Sequence, residues 1–186
     1  MSLIEMSVPL PTDDEKFFRR LCPICRREFK VLLDEKELEN LAKKGVENFM
    51  LVNKADEAKQ EEGGKPEPEY TCPYCGQMAA ASNWWTDEQM AYIGVFAKNI
   101  ANRIINEELI SPLKRKFGAS PSGLFSIKFD AQEMKMEEPW ISPETNDMEI
   151  VELPCCKRKI KIREEWTEKV RCFFCGFPYP GKKKVD

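Results

Sequence analysis

Histidine is absent from this chain of 186 residues. Its absence excludes histidine as a general acid or base and every Ser-His or Cys-His nucleophile pair. It also limits any metal site to sulfur and oxygen ligands. A phosphate-binding glycine loop and a G-x-S-x-G nucleophile elbow are missing as well. From these absences we predict that the protein is not an enzyme.

Long apolar runs are also missing from the sequence. No stretch approaches the roughly 18 apolar residues that a membrane-spanning helix needs. Residues 1–18 have no basic start and contain an early acidic cluster, so they do not read as a signal peptide. We therefore expect no membrane contact and a cytoplasmic location, where paired cysteines hold metal more often than they form disulfides. A secreted disulfide scaffold is the alternative.

Charged residues are abundant and unevenly placed. They make up 33% of the chain, above the roughly 25% of typical globular proteins, so any single core should be modest. Residues 155–186 carry ten basic and four acidic residues, a charge of +6, which leaves −9 on residues 1–154 of the net −3. A basic C-terminal module that follows an acidic body in the sequence favours a polyanionic partner.

The eight cysteines fall in four pairs, three of them with C-x-x-C spacing. The pairs are Cys22/Cys25, Cys72/Cys75, Cys155/Cys156 and Cys172/Cys175. Two such turns aim four thiolates at one tetrahedral ion, and an all-sulfur set selects zinc or iron. We therefore predict two structural zinc ions, the first held by the first two pairs and the second by the last two.

Cys155 and Cys156 need a special backbone geometry to share one ion, because neighbouring side chains on a strand point to opposite faces. Both reach one ion only if the chain turns there, which Pro154 favours. In the alternative, one of them packs and Glu152 or water completes the site. A C-x-x-C redox couple and an iron–sulfur cluster are further alternatives for the cysteines.

Hydrophobic patterning predicts an α+β fold, in which small zinc-stapled β-ribbons with rubredoxin-like knuckles are joined by a long amphipathic helix. Strands are predicted at 28–33, 124–129, 148–153 and 159–163. The predicted units are an N-terminal ribbon at 1–85 with a helical insertion at 34–69, a long helix at 86–117, a strand and acidic linker at 118–147, and a basic ribbon at 148–186.

Two helices carry recognisable start signals. Asp34 can cap a helix over 34–60, and Thr86 with Gln89 forms a capping-box pattern for the next. Pro112 should end or kink this second helix. Its apolar stripe over 86–113 favours packing in a core, and a helix-mediated dimer is the alternative.

The strings CPYCG and CFFCG, with strands around them, resemble zinc ribbons of the type found in transcription factor B and RNA polymerase subunits. The string ELPCCKRKIKI…VRCFFCG also resembles a ribbon of uncharacterised prokaryotic proteins. In those proteins a CPYCG turn precedes a helix start like the one at Thr86. The resemblance implies a β-ribbon fold and bound zinc, and it does not imply a function.

Two functional hypotheses follow. The first is an adaptor that docks a protein partner on the 34–60 or the 86–113 helix. The second is binding of DNA or RNA through the basic ribbon, with Trp166, Phe173, Phe174 and Tyr179 stacking on bases. The predicted phosphate contacts are Lys157, Arg158, Lys159, Lys161, Arg163 and Arg171.

Overall fold

The computed structural model describes residues 8–52, 67–117 and 132–181. It mixes helices and antiparallel strands, which confirms the α+β class. In chain order the elements are β1 (Phe17–Leu21), β2 (Glu28–Leu32), α1 (Glu35–Val52), β3 (Glu69–Thr71), β4 (Met78–Ala80), a 3₁₀ turn (Ala81–Asn83), α2 (Asp87–Ile104), a π-helical segment (Ile105–Ile110), α3 (Ser111–Phe117), β5 (Glu149–Leu153), β6 (Arg158–Ile162), β7 (Val170–Arg171) and β8 (Pro178–Tyr179).

Each cysteine pair lies in the turn of a two-stranded antiparallel hairpin. The hairpins are β1–β2, β3–β4, β5–β6 and β7–β8. Strand β1 was not predicted, because the string FFRRL does not alternate clearly between apolar and polar residues. Its partner β2 and the strands β5 and β6 lie within one residue of their predicted bounds.

The two larger hairpins share one sheet of order β1-β2-β6-β5. At its centre Lys30 pairs with Lys161 and Val31 with Ile160. The two halves of the chain are therefore linked strand to strand, and the long helix is not what joins them. Sequence patterns could not show this, because the paired residues are 129 and 131 positions apart along the chain.

The two smaller hairpins contact each other reciprocally. The amide of Thr71 donates to the Phe173 carbonyl at 2.9 Å, and the amide of Arg171 donates to the Pro73 carbonyl at 2.9 Å. The Tyr74 hydroxyl adds a bridge, since it donates to the Glu28 carbonyl at 2.8 Å and accepts from the Arg163 amide at 3.0 Å. The four hairpins thus form one body with approximate two-fold symmetry.

One face of the shared sheet covers an aromatic core. Phe29 lies 5.8 Å from Trp84 and 5.3 Å from Phe173, and Tyr70 stacks on Phe173 at 4.5 Å between ring centroids. Leu153 and two isoleucines of β6 complete this buried cluster. A core this rich in rings compensates for strands of only two to five residues.

Helices α1 and α2 pack against each other beside this core, on Phe18 and Trp85. Two glycines permit the close approach. A Cβ on Gly45 would lie 3.0 Å from the Trp85 ring, and one on Gly94 would lie 2.9 Å from Phe49. Gly45 therefore allows close packing, and this packing compensates for the low helix propensity of glycine.

Both helix starts predicted from the sequence are confirmed. The Thr86 hydroxyl accepts from the Gln89 amide at 3.1 Å, and the Gln89 side chain accepts from the Thr86 amide at 3.0 Å. Asp34 accepts from the Glu37 amide at 2.7 Å. Helix α2 continues through the π-helical segment into α3, and the wider turn comes just before Pro112, which lacks an amide donor.

The acidic stretch predicted as a linker is bound along its length. Residues 132–148, called the strap below, form neither helix nor strand. Three asparagines of the preceding helix, Asn99, Asn102 and Asn106, donate to main-chain carbonyls of the strap at 2.6–2.9 Å. The strap is thus fixed by its backbone, which explains why most of its side chains stay exposed.

Some predictions lie outside the described residues. These are the strand at 124–129 and the end of the predicted 34–60 helix beyond Val52, together with Lys182, Lys183 and Lys184. Within the described ranges, no helix has the length and apolarity to cross a bilayer.

Candidate metal centres

The fold brings the eight cysteines into two groups of four. In each group the four sulfurs lie within 4.8 Å of one another. The groups are Cys22, Cys25, Cys72 and Cys75, and Cys155, Cys156, Cys172 and Cys175, the same sets that the sequence predicts. The two groups could each hold a metal ion.

The first group has the spacing of a tetrahedral ion. The sulfurs of Cys22 and Cys75 lie 3.8 Å apart, and those of Cys25 and Cys72 lie 3.7 Å apart. Four sulfurs at about 2.3 Å from one zinc ion would be about 3.8 Å apart. Cys25 and Cys72 lie far apart along the chain, and the β3–β4 hairpin places Cys72 beside Cys25.

The three C-x-x-C turns share one backbone pattern. In the turn at Cys172, the cysteine amide donates to the Phe177 carbonyl at 2.8 Å and its carbonyl accepts from the Gly176 amide at 2.9 Å. The turns at Cys22 and Cys72 repeat both bonds at 2.8–3.0 Å. Such turns direct main-chain amides at the sulfurs, as where the Cys25 amide donates to the Cys22 sulfur at 3.4 Å.

The residue after the second cysteine always has a positive φ. The angle is 76° at Gly76 and 75° at Gly176, and it is 57° at Arg26 and 51° at Lys157. Only glycine adopts this conformation without strain. The turn therefore requires a positive φ, which the glycine in CPYCG and CFFCG adopts freely and which Arg26 and Lys157 adopt at a cost.

The second group contains adjacent cysteines because the chain turns there. Leu153 pairs with Arg158 at the end of the hairpin, so Cys155 and Cys156 lie in its tip and not on a strand. The Cys156 amide donates to the Leu153 carbonyl at 3.1 Å, which closes the turn. Both sulfurs can then face one ion, and Glu152, which pairs with Lys159 at 3.3 Å, is not needed as a ligand.

The two groups differ in exposure and in the acidity of their thiols. Cys22 and Cys72 are buried in the first group, whereas Cys155 and Cys175 are exposed in the second. Burial raises the pKa of Cys72 and of Cys172 well above the usual thiol value. At Cys155, burial is outweighed by hydrogen bonds from the Tyr179 hydroxyl and the other thiols, which lower the pKa to about 7.

These residues fit zinc by donor type, number and spacing. Metal binding requires thiolates, so an ion in either group would displace the protons that burial otherwise holds on Cys72 and Cys172. The amides that point at the sulfurs and the aromatic core behind them would support the ligands. A closed set of four protein ligands leaves no open position for a substrate, which is typical of a structural ion.

The structure brings only some of the predicted phosphate contacts together: Lys157, Arg158 and Lys159 line one cleft. Lys161 is 0% exposed, and its ammonium lies 2.7 Å from Asp13 and 2.5 Å from Glu15. It is therefore wrong as a nucleic-acid contact, because the four-stranded sheet turns it inward. Lys159 lies 3.3 Å from Glu152.

The remaining basic residues contact different groups of the protein. The Arg158 guanidinium lies 4.4 Å from the centre of the Phe174 ring and donates to Glu37 at 2.9 Å. The Arg171 side chain covers Gly76. Lys157 and Arg163 are exposed, and Arg163 lies 3.9 Å from Glu165.

The aromatic residues proposed to stack on bases serve the core instead. Phe173 is buried among Tyr70, Phe29 and Trp84. Trp166 packs on Tyr74 at 4.9 Å. The structure thus gives these rings a packing role that the sequence alone left open.

Two features of this region were missed by sequence reasoning. One is the ion network of Lys30, Lys161 and Asp13 on the second face of the sheet. The other is Arg20, which is buried in the core. For Arg20 the available signal was a charged residue two positions from Phe18, on the same face of the strand. For Lys161 there was none, since alternation in RKIKI places it on the face opposite Ile160 and Ile162.

Comparisons with known proteins add no relative. No family model, no curated protein and no solved structure matches this chain. The resemblance of its cysteine turns to zinc ribbons therefore rests on the motifs themselves and stays a prediction.

Proposed function

We propose that both four-cysteine groups hold structural zinc and that the chain is a non-enzymatic protein-interaction module. The observation that carries the proposal is an apolar groove of about 590 Å³ between α1 and α2. The zinc ions would hold the hairpin body rigid, and the two helices packed on that body would present the groove.

The groove is apolar along its length. Phe49 and Met50 of α1 form one wall. The floor and the other wall come from α2, whose lining residues are Met90, Ala91, Gly94, Val95, Ala97, Lys98 and Ala101. An apolar channel that is exposed to water is unfavourable unless a partner covers it.

An amphipathic helix of a partner protein is the occupant that this shape favours. The small residues Ala91, Gly94 and Ala101 recur at helical spacing, so they make a channel parallel to α2 in which another backbone can lie close. Lys98 is the charged residue of the lining, and it forms an ion pair with Glu137 of the strap. The partner helix would therefore bury apolar side chains and would need few charges at its centre.

A matched pair of variants tests the groove. Ala91→Glu places a charge in the channel, whereas Met136→Glu places one on the exposed side of the strap. Proteins that bind the native chain are purified and their affinities are measured by calorimetry. We expect Ala91→Glu to weaken such a partner at least about tenfold and Met136→Glu to leave it unchanged.

Metal content is tested separately by native mass spectrometry. We expect two zinc ions in the full chain and one after Cys72→Ser or Cys156→Ser. Iron in place of zinc would refute the metal assignment. Salt-sensitive binding to DNA or RNA, without a protein ligand for the groove, would instead support the nucleic-acid hypothesis.

A further inference from the structure

Two thiols of the second cysteine group are open to solvent. Cys155 and Cys175 are exposed there, whereas in the first group Cys22 and Cys72 are 0% exposed and the other two cysteines are half-buried. Both groups consist of four cysteines, so a difference in their reactivity arises from their surroundings and not from the type of ligand. A small oxidant dissolved in water therefore reaches sulfur more easily in the second group than in the first.

The two exposed sulfurs are also neighbours. Sγ of Cys175 lies 3.4 Å from Sγ of Cys155. The two residues lie in the tips of different hairpins, Cys155 between β5 and β6 and Cys175 between β7 and β8. The Tyr179 hydroxyl of β8 accepts from the Cys155 amide at 2.9 Å and holds the two tips together. A bond between these sulfurs therefore needs only a small movement of each turn.

Other pairings within the second group are less favourable. Adjacent Cα atoms lie about 3.8 Å apart, below the roughly 4.4–6.8 Å of ordinary disulfides, so a bond between Cys155 and Cys156 would be strained. Cys172 is 0% exposed and belongs to the aromatic core cluster. Cys155 and Cys175 are thus the pair that combines exposure with direct contact.

We propose that Cys155 and Cys175 form a reversible oxidation site, at which hydrogen peroxide converts two thiolates to a disulfide and the second group releases its zinc ion. The release of zinc rests on the metal assignment under the proposed function. The oxidation itself rests on the exposure and the contact of the two thiols.

The reaction removes two electrons from sulfur and reduces one peroxide molecule. The Cys155 thiolate attacks a peroxide oxygen, the O–O bond breaks and hydroxide leaves, so that a sulfenic acid remains. The Cys175 thiolate then attacks this sulfur, the S–O bond breaks and a second hydroxide leaves. The two hydroxides take up protons from solvent and become water. A thiol reductant reverses the oxidation by exchange with the disulfide.

The disulfide would join the same two turns that the ion joins. Cys156 and Cys172 would remain as ligands, and two thiolates are only half of the closed set that a structural zinc ion requires. The aromatic core around Phe29 and Phe173 does not depend on the two oxidised sulfurs. We therefore expect the ion to leave while the hairpin body stays folded, which makes the change reversible.

Mild oxidation of the full, zinc-loaded chain tests the proposal. Hydrogen peroxide is added in small excess, a coloured chelator records the zinc that leaves, and a peroxide-free sample is measured in parallel. Peptide mapping by mass spectrometry locates the disulfide. We expect peroxide to release one ion of the two at least about tenfold faster than the other, with a disulfide between Cys155 and Cys175. Added thiol reductant and zinc should restore both ions.

Two variants isolate the groups. Cys72→Ser leaves the second group intact, and peroxide should still release the ion that remains there. Cys156→Ser keeps both exposed thiols, so it should form the same disulfide while the ion of the first group stays bound.

Different results separate the two proposals. A disulfide between other cysteines, or peroxide-driven loss of both ions at one rate, would overturn the oxidation site. If the native chain carries no zinc, the metal assignment fails, and the disulfide map still decides whether Cys155 and Cys175 are the oxidation site.

Discussion

At the residue scale, the second face of the sheet is held by a buried network of charges. Lys30 and Lys161 stand opposite each other, both 0% exposed, and Asp13 lies 3.3 Å from one ammonium and 2.7 Å from the other. Two like charges in direct cross-strand contact destabilise a sheet unless an acid lies between them. Glu144 and Asp147 of the strap add further negative charge around Lys30.

Removing one member of this network should be costly. We predict that Lys161→Met lowers the free energy of unfolding by about 2–3 kcal/mol, because buried Asp13 loses its nearer ammonium and is left with Lys30 at 3.3 Å. Urea denaturation measures the change. Lys159→Met on the same strand removes an exposed pair with Glu152 and should stay within about 0.5 kcal/mol of the native value.

The same network should make the protein sensitive to acid. At Asp147 burial raises the pKa, but hydrogen bonds from Arg19 and Lys30 outweigh it and lower the pKa to about 2. Since the unfolded value is about 3.9, this carboxylate contributes stability above that pH. The contribution is lost as the pH falls from about 5 to about 2.

Denaturation at a series of pH values checks this dependence. In Asp147→Asn the free energy of unfolding should fall less steeply between about pH 5 and pH 2, and its pH dependence near neutrality should be almost unchanged. Because the acid limb also depends on protonation of the cysteine ligands, the zinc content is measured at each pH. An unchanged acidic limb in the variant would contradict the assigned role of Asp147.

At the scale of elements, the cysteine turns require a left-handed residue after the second cysteine. We predict that Gly176→Ala lowers the free energy of unfolding by about 1–2 kcal/mol, since φ at this position is 75°. A Cβ there would also lie 3.2 Å from the Thr71 hydroxyl of the other small hairpin. Gly176→Asn should cost less than alanine if backbone conformation dominates, because asparagine adopts this conformation more readily.

The strap shows how an element can be ordered without regular secondary structure. Asparagines at spacings of three and four along α2 and the π-helical segment bind the main chain of the strap, and main-chain contacts of this kind place few demands on the side chains. Trp140 is 72% exposed in this segment, as expected where the backbone supplies the contacts. From its composition alone, the segment was predicted to be a linker.

At the scale of the whole molecule, the two proposed zinc ions should leave at different rates. The second group exposes Cys155 and Cys175, whereas the first buries Cys22 and Cys72. A competing coloured chelator should therefore remove zinc in two phases of equal amplitude, with the faster phase from the second group.

Ligand variants assign the phases. Cys175→Ser should remove the fast phase and leave the slow one, and Cys72→Ser should do the reverse. Because the two large hairpins share a sheet and the first group lies deeper, loss of the first ion should destabilise the second group more than loss of the second ion destabilises the first. A single phase in the native chain would show that the two groups open together.

Local sequence patterns are enough to predict the two cysteine quartets, the α+β class and both helix starts. Each of these depends on residues close in the chain, such as the C-x-x-C spacing, the glycine after it and the Thr86–Gln89 box. Periodicity also located the strands β2, β5 and β6 to within one residue.

The tertiary structure alone decided which faces of those elements are buried. Lys161 read as a surface cation because alternation in β6 cannot reveal that both faces of the strand are covered, one by the core and the other by Asp13 and the strap. The burial of Arg20 depends in the same way on Trp85 and Ala81, which come from a distant part of the chain. Such contacts arise from packing between segments, and local patterns carry no record of which segments will meet.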